Sequence, residues 1–344
     1  MRLISCLAVC TIVVGAAAMA PNDLRERAKR IFRPLPATPP IIADNPANAA
    51  KAELGKLLFF EPRLSRSGTI ACSSCHNLEA GGADNVPVSI GHGGQQGRRN
   101  APTVLNSVFN IAQFWDGRAR DLKSQAKHPV QTPFEMNNTP DRVEQTLKSI
   151  PEYVERFTEA FPDDKQPVSF DNVVRSIEIF EAKLITPNGP FDRFLLGDDN
   201  AMTEQQTRGL ERFMFHGCST CHRGVNVGGN AYFPFGMRNP PDDAVRPPED
   251  HGRGLLTGRM RDQFFFRVAP LRNVALTAPY FHSGRVWKLG EAVRIMAKAQ
   301  LDATIPDQDV EDIVAFLHAL TGEQPKISRP ALPPSTDLTA TPEP

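Results

Sequence analysis

Two five-residue runs carry the most legible chemistry in this 344-residue chain. Cys72-Ser73-Ser74-Cys75-His76 and Cys218-Ser219-Thr220-Cys221-His222 both have the form C-x-x-C-H, the attachment pattern of a c-type haem. Thiols three residues apart on an incipient helix face the same way and can add to two haem vinyl groups. The histidine one residue further on then falls under the iron as an axial ligand. A zinc ribbon would need its two pairs roughly 15–20 residues apart, and Cys75 and Cys218 lie far outside that range. A thioredoxin-like site would occur once, inside a βαβ pattern, and no such pattern surrounds either run. Disulfides suit an exported protein, but they do not call for a histidine after each pair. Two covalently bound haem c groups are expected, one on Cys72, Cys75 and His76, the other on Cys218, Cys221 and His222.

What fills the sixth position of each iron decides function. A fixed side chain makes an electron carrier, whereas an openable position permits chemistry. For the second haem a methionine is expected in the loop before the closing helix, where Met296 stands. Met237 and Met260 compete, and packing in a core is the ordinary use of a methionine. For the first haem the nearest downstream candidate is His92, set among Gly91, Gly93, Gly94 and Gly97. A glycine-rich loop changes conformation cheaply, so this histidine could bind the iron and also leave it. A surface histidine on a linker reads equally well from the residues alone.

The elements that must hold these groups are helical and occur twice. Residues 49–60 place Leu54, Leu57, Leu58 and Phe60 on one face. Thr203-Glu204-Gln205-Gln206 is a capping-box start leading into Gly209-Leu210-Glu211-Arg212-Phe213. Both helices carry glycine with phenylalanine four residues on, Gly55/Phe59 and Gly209/Phe213. A glycine where two helices cross permits close approach, although inside a helix it costs about 1 kcal/mol; two ordinary core helices fit the same pattern. Amphipathic helices follow at 170–184 and 307–320, the second with Val310, Ile313, Val314, Leu317 and Leu320 on one side. The expected class is mainly α, as two cytochrome c-like helical domains with one covalent c-type haem each. Thr186-Pro187-Asn188-Gly189-Pro190 is a turn-rich break, which puts the domains at 21–187 and 188–322. Residues 323–344 are proline-rich and read as an extended or disordered tail.

Composition bounds the rest. Lysine plus arginine balance aspartate plus glutamate at 39 each, so the basic excess of a nucleic-acid binder is missing. Residues 1–20 combine Arg2, an apolar stretch and the small run 15–18, the anatomy of a secretory signal. That stretch, which holds Cys6 and Cys10, is too short to span a bilayer. No membrane span is expected, and the periplasm is the expected location.

Longer stretches carry a resemblance. LLFFEPRLS (57–65), the first haem motif, SIGHG (89–93), RNAPTVLNSVFNIAQFWDGRA (99–119), EMNN (135–138) and APYFHSGRVWKL (278–289) resemble the bacterial dihaem cytochrome c peroxidases over nearly the whole mature chain. The resemblance implies that His76 and His92 ligate a peroxidatic, low-potential haem, with His92 removable. His222 and Met296 would hold a high-potential, electron-accepting haem. Glu135 would be the distal acid/base, assisted by Gln125, and Trp115 would lie between the haems. Asn100, with the main-chain carbonyls of Thr277 and Pro279, matches the family's calcium site. The implied reaction is reduction of hydrogen peroxide with electrons from a small c-type cytochrome or cupredoxin, by a homodimer. Two alternatives remain: a non-enzymatic dihaem electron carrier, which needs neither Glu135 nor an openable site, and a cofactor-maturing oxidase of the methylamine-utilisation type. The latter resembles the chain but carries tyrosine where Met296 stands.

Overall fold

A computed structural model describes residues 21–343; the expected signal at 1–20 lies outside them. The described chain is mainly helical. In chain order it forms α1 (Pro21–Ile31), α2 (Ala49–Phe59), the short α3 (Cys72–Cys75), α4 (Leu122–Gln131), α5 (Pro140–Lys148), α6 (Pro151–Ala160), α7 (Phe170–Ala182), α8 (Pro190–Leu196) and α9 (Glu204–Phe215). There follow β1 (Tyr232–Pro234), α10 (Arg253–Thr257), β2 (Phe265–Arg267), α11 (Leu289–Leu301) and α12 (Asp307–Ala319). The strands pair antiparallel, with Tyr232 opposite Arg267. Among the described residues no helix is long and apolar enough to cross a membrane.

Two separate apolar cores organise the helices. The first joins Leu54, Leu57 and Leu58 of α2 to Val143, Tyr153 and Phe157 of α5 and α6 and to Val173, Val174 and Ile177 of α7. The second joins Leu210 and Phe213 of α9 to Val310, Ile313, Phe316 and Leu317 of α12. Each is built on one close helix crossing at the expected glycine. A Cβ on Gly55 would lie 2.0 Å from the Ser176 carbonyl oxygen and 2.9 Å from Phe180 Cβ. A Cβ on Gly209 would lie 1.9 Å from the Asp312 carbonyl oxygen and 2.8 Å from Phe316 Cβ. The missing side chain therefore lets each pair of backbones touch, twice in the same geometry. Local signals start the helices as read: Asn48 Oδ1 accepts from Lys51 N to cap α2, and Thr203 and Gln206 bond reciprocally at α9.

The two chain ends cross over between the cores. Leu24, Ala28 and Phe32 of α1 and its exit belong to the second core, not the first. The buried ion pair of Arg272 with Asp192, at 2.7 Å, secures that segment, since Asp192 Oδ1 also accepts from Leu35 N and Arg272 donates to Arg33 O. Residues 323–343 form no helix or strand and run back over the first core. Leu332 packs there, Arg63 donates to Pro333 O, and Arg66 and Arg142 both pair with Glu343. The tail is thus the extended alternative of the two expected. Apolar side chains bury wherever a complementary face exists, and for both termini that face lies in the other half.

Candidate functional site

Both C-x-x-C-H runs fold into one tight turn. His76 N donates to Cys72 O at 3.0 Å, and His222 N donates to Cys218 O at the same distance. All four thiols are free, with no disulfide in either pair. Burial pushes each of them up, Cys218 to about 11, which keeps them as neutral thiols. Each histidine donates Nδ1–H to a main-chain carbonyl, His76 to Gly82 at 3.3 Å and His222 to Ala269 at 3.1 Å. That bond fixes the tautomer and leaves Nε2 as the lone-pair nitrogen a metal takes. Burial lowers both imidazoles, His222 to about 4, so they stay neutral and competent to ligate.

The first turn opens on a cavity of about 790 Å³, within the range of cofactor pockets. Cys72, Cys75 and His76 line it together with Trp115, Gln125 and Glu135, so three of the residues expected to act on substrate share one chamber with the first motif. Gln125 projects from α4, whose start is capped by Asp121 Oδ1 accepting from Ser124 N at 2.6 Å. Glu135 sits on the turn after α4, with its N–H donated to Thr132 O. Burial raises the Glu135 carboxyl, while the Arg118 guanidinium pulls it back. A buried carboxyl at the cavity wall can take a proton from one reacting atom and pass it to another. Trp115 is fixed by Nε1 donating to Asn100 O at 2.9 Å and packs against a cluster of Phe235, Phe266 and Tyr280 from the second half.

Other expected residues sit differently. His92 is buried, its Nδ1 has no hydrogen-bond partner, and it is not among the residues lining the cavity, although Gly91 is. Met296 is half-buried in the cluster beside Trp115. It lies on α11, not in the loop expected before the closing helix, because 289–301 is itself helical. Asn100 directs Nδ2 to Val86 O and its N–H to His282 O. No described hydrogen bond ends on Asn100 Oδ1 or on the main-chain oxygens of Thr277 and Pro279. Free neutral oxygens of this kind suit a hard cation that keeps several waters.

Sequence reasoning missed the contribution of the second half to this chamber. Asp250, Arg267 and His282 all line it. Arg99 forks across the join, pairing Asp116 at 2.7 Å and Asp250 at 2.6 Å. His282 stacks on Phe266 with ring centres 4.3 Å apart and meets Trp115 edge-on at 6.1 Å. Burial holds His282 neutral, down to about 4. Glu181 of α7 also lines the chamber, and burial pushes it up to about 8. Of the three residues from the second half, only His282 lay within a stretch that the sequence marked, 278–289; Asp250 and Arg267 carry no local signal.

Residues 49–200 match the family model described as di-haem cytochrome c peroxidase. The cytochrome c551 peroxidase of Pseudomonas aeruginosa is 56% identical over 321 residues, covering 93% of each chain. That of Nitrosomonas europaea is 47% identical, covering 89% of this chain and 90% of the relative. The crystal structure of a MauG-like protein associated with microbial copper homeostasis superposes with a TM-score of 0.75 at 28% identity, over 84% of this chain and 95% of that one.

Proposed function

The chain belongs to the di-haem cytochrome c peroxidase family, and from that premise we propose that it reduces hydrogen peroxide to water in the periplasm, with electrons from a small c-type cytochrome or cupredoxin. It is an oxidoreductase acting on peroxide. One observation carries the mechanism: His76, Trp115, Gln125 and Glu135 line a single cavity with Cys72 and Cys75. The free thiols, the oriented Nε2 of His76 and the cavity volume fit a covalently held haem.

Bound there, a haem supplies the iron at which peroxide receives two electrons, alongside two protons, to give two waters. Glu135 takes a proton from the near oxygen of peroxide and returns it to the far one; its raised carboxyl suits both transfers. Gln125 orients the peroxide by hydrogen bonding. His76, with Nδ1–H anchored on Gly82 O, would offer Nε2 to the iron of the first haem. His222 and Met296 would hold the second, electron-accepting haem, where a thioether ligand would raise the potential in the required direction. Trp115, packed between the two halves, assists transfer between the haems. His92, buried with its Nδ1 free of any hydrogen bond on a glycine-rich loop, would be the removable ligand of the first haem. Asn100, Thr277 and Pro279 hold calcium at the join of two haem domains, 21–187 and 188–322, whose ends exchange as described. The assembly is a homodimer.

An electron carrier would have no use for a buried carboxyl on the cavity wall, and a cofactor-maturing oxidase would carry tyrosine at 296. Mass spectrometry and peroxide turnover test the reading together. The mature protein should carry two covalent haems. Cys72→Ala should lose one haem and all turnover, and Cys218→Ala should lose the other and the entry of electrons. Fewer than two haems on the wild-type protein would overturn it.

A further inference from the structure

Arg267, the last residue of β2, is the unexplained charge of the cavity. It is 3% exposed and lines the chamber of the first C-x-x-C-H turn, although it belongs to the other half of the chain. Its main-chain N–H donates to Trp115 O at 2.7 Å, and Nε donates to Phe114 O at 3.3 Å. Both acceptors are neutral. Nη1 is buried without any partner. No ion pair to Arg267 exists among the described residues, in contrast with its neighbours: Arg99 has Asp116 and Asp250, Arg118 has Asp116, and buried Arg272 has Asp192.

A guanidinium does not shed its proton in a protein, and an uncompensated buried charge costs several kcal/mol. The compensation must come from whatever fills the cavity. Guanidinium groups match carboxylates in a two-pronged geometry, and the haem that the Cys72–His76 turn fits carries two propionate carboxylates.

We propose that Arg267 is the carboxylate-binding residue of the first haem cavity, pairing a haem propionate through the Nη1 side of its guanidinium. The inference rests on the haem reading above and adds to it a grip by the second half of the chain on the haem attached to the first. Arg267 is a positioning residue: it touches the edge of the cofactor, and the same contact places a fixed positive charge beside it. That charge disfavours the oxidised iron and holds the first haem's potential up. Because Arg267 N is bonded to Trp115 O, the contact also ties the propionate to the segment that lies between the halves.

The test uses the mature dihaem protein and Arg267→Gln and Arg267→Lys variants. Mass spectrometry first establishes two attached haems in each, so a failure of the haem reading is seen separately. Spectroelectrochemical titration at pH 8 then resolves the two haems. Arg267→Gln should shift the reduction equilibrium of the first haem about tenfold toward the oxidised form, which is about 59 mV for one electron. The second haem should not move, and Arg267→Lys should recover most of the shift. In both variants the propionate bending band of the first haem should leave its wild-type position in resonance Raman spectra, because lysine lacks the fork. Should the Gln variant fail to fold, an unmoved band in the Lys variant overturns the proposal. So does an unchanged first-haem potential, or a shift confined to the second haem. Titrating the wild type with chloride supplies the last arm: a chloride-dependent first-haem potential that Arg267→Gln abolishes would assign the site to a free small anion, and overturn the propionate.

Discussion

The main-chain N–H of His92 donates to the main-chain oxygen of Glu135 at 2.7 Å. The glycine-rich loop and the turn carrying the buried carboxyl are therefore joined directly, so a shift of the loop either breaks this bond or carries the cavity wall with it. Gly91 makes the approach possible, since a Cβ there would lie 2.3 Å from Phe134 O and 2.6 Å from Glu135 O.

Gly91→Ala should push the two segments apart while leaving both haem-attachment turns intact. A misplacement of about 1 Å costs on the order of 10²-fold in rate, so peroxide turnover should fall by about that factor with haem content unchanged. Steady-state assay beside a haem quantification checks it; unchanged turnover would show that the two segments move independently.

Glu135→Gln retains the shape of the side chain and removes its proton chemistry. Turnover should drop by roughly 10²–10⁴-fold, the usual contribution of a general acid/base, and reduction by the electron donor should persist. Stopped-flow mixing of the reduced variant with peroxide makes the measurement. Near-normal consumption would remove Glu135 from the mechanism.

The glycine crossings predict a stability effect with no direct bearing on chemistry. Gly209→Ala forces α9 off α12, because the new methyl would collide with the Asp312 main chain. Overpacking of this kind costs about 1–3 kcal/mol, more than the helix propensity gained. The urea midpoint should fall, and Gly55→Ala should do the same to the α2–α7 pair. A rise in either midpoint would mean that the helices separate at no cost.

Glu181 gives a pH dependence of definite sign. Its carboxyl titrates at about 8 in the folded chain and at about 4.3 when unfolded. Below the lower value both states hold the proton. As pH rises from there toward 8, the unfolded chain releases its proton and the folded chain keeps it, so stability falls. Above about 8 the effect is complete. Glu181→Gln should therefore flatten the wild-type decline of the urea midpoint between pH 5 and 8. Parallel curves for the two proteins would place the Glu181 carboxylate in contact with water or a cation.

Short-range signals in the sequence by themselves determined the two haem-type motifs and the four helices that follow or precede them. Cys72, Cys75 and His76 are read from spacing alone, and a reciprocal bond such as that of Thr203 with Gln206 spans one helical turn. Gly55 and Gly209 permit close approach, and the structure shows that each is used for it. Only the tertiary structure decided who shares the cavity. Asp250 meets Arg99, Arg267 meets the 114–115 main chain, and Leu24 to Phe32 join the second core, each across a long loop of chain. It also put Met296 on a helix and His92 off the cavity wall. Such pairings follow from complementary surfaces formed after the helices exist, and a burial energy that depends on a distant partner leaves no periodicity in the residues that will use it.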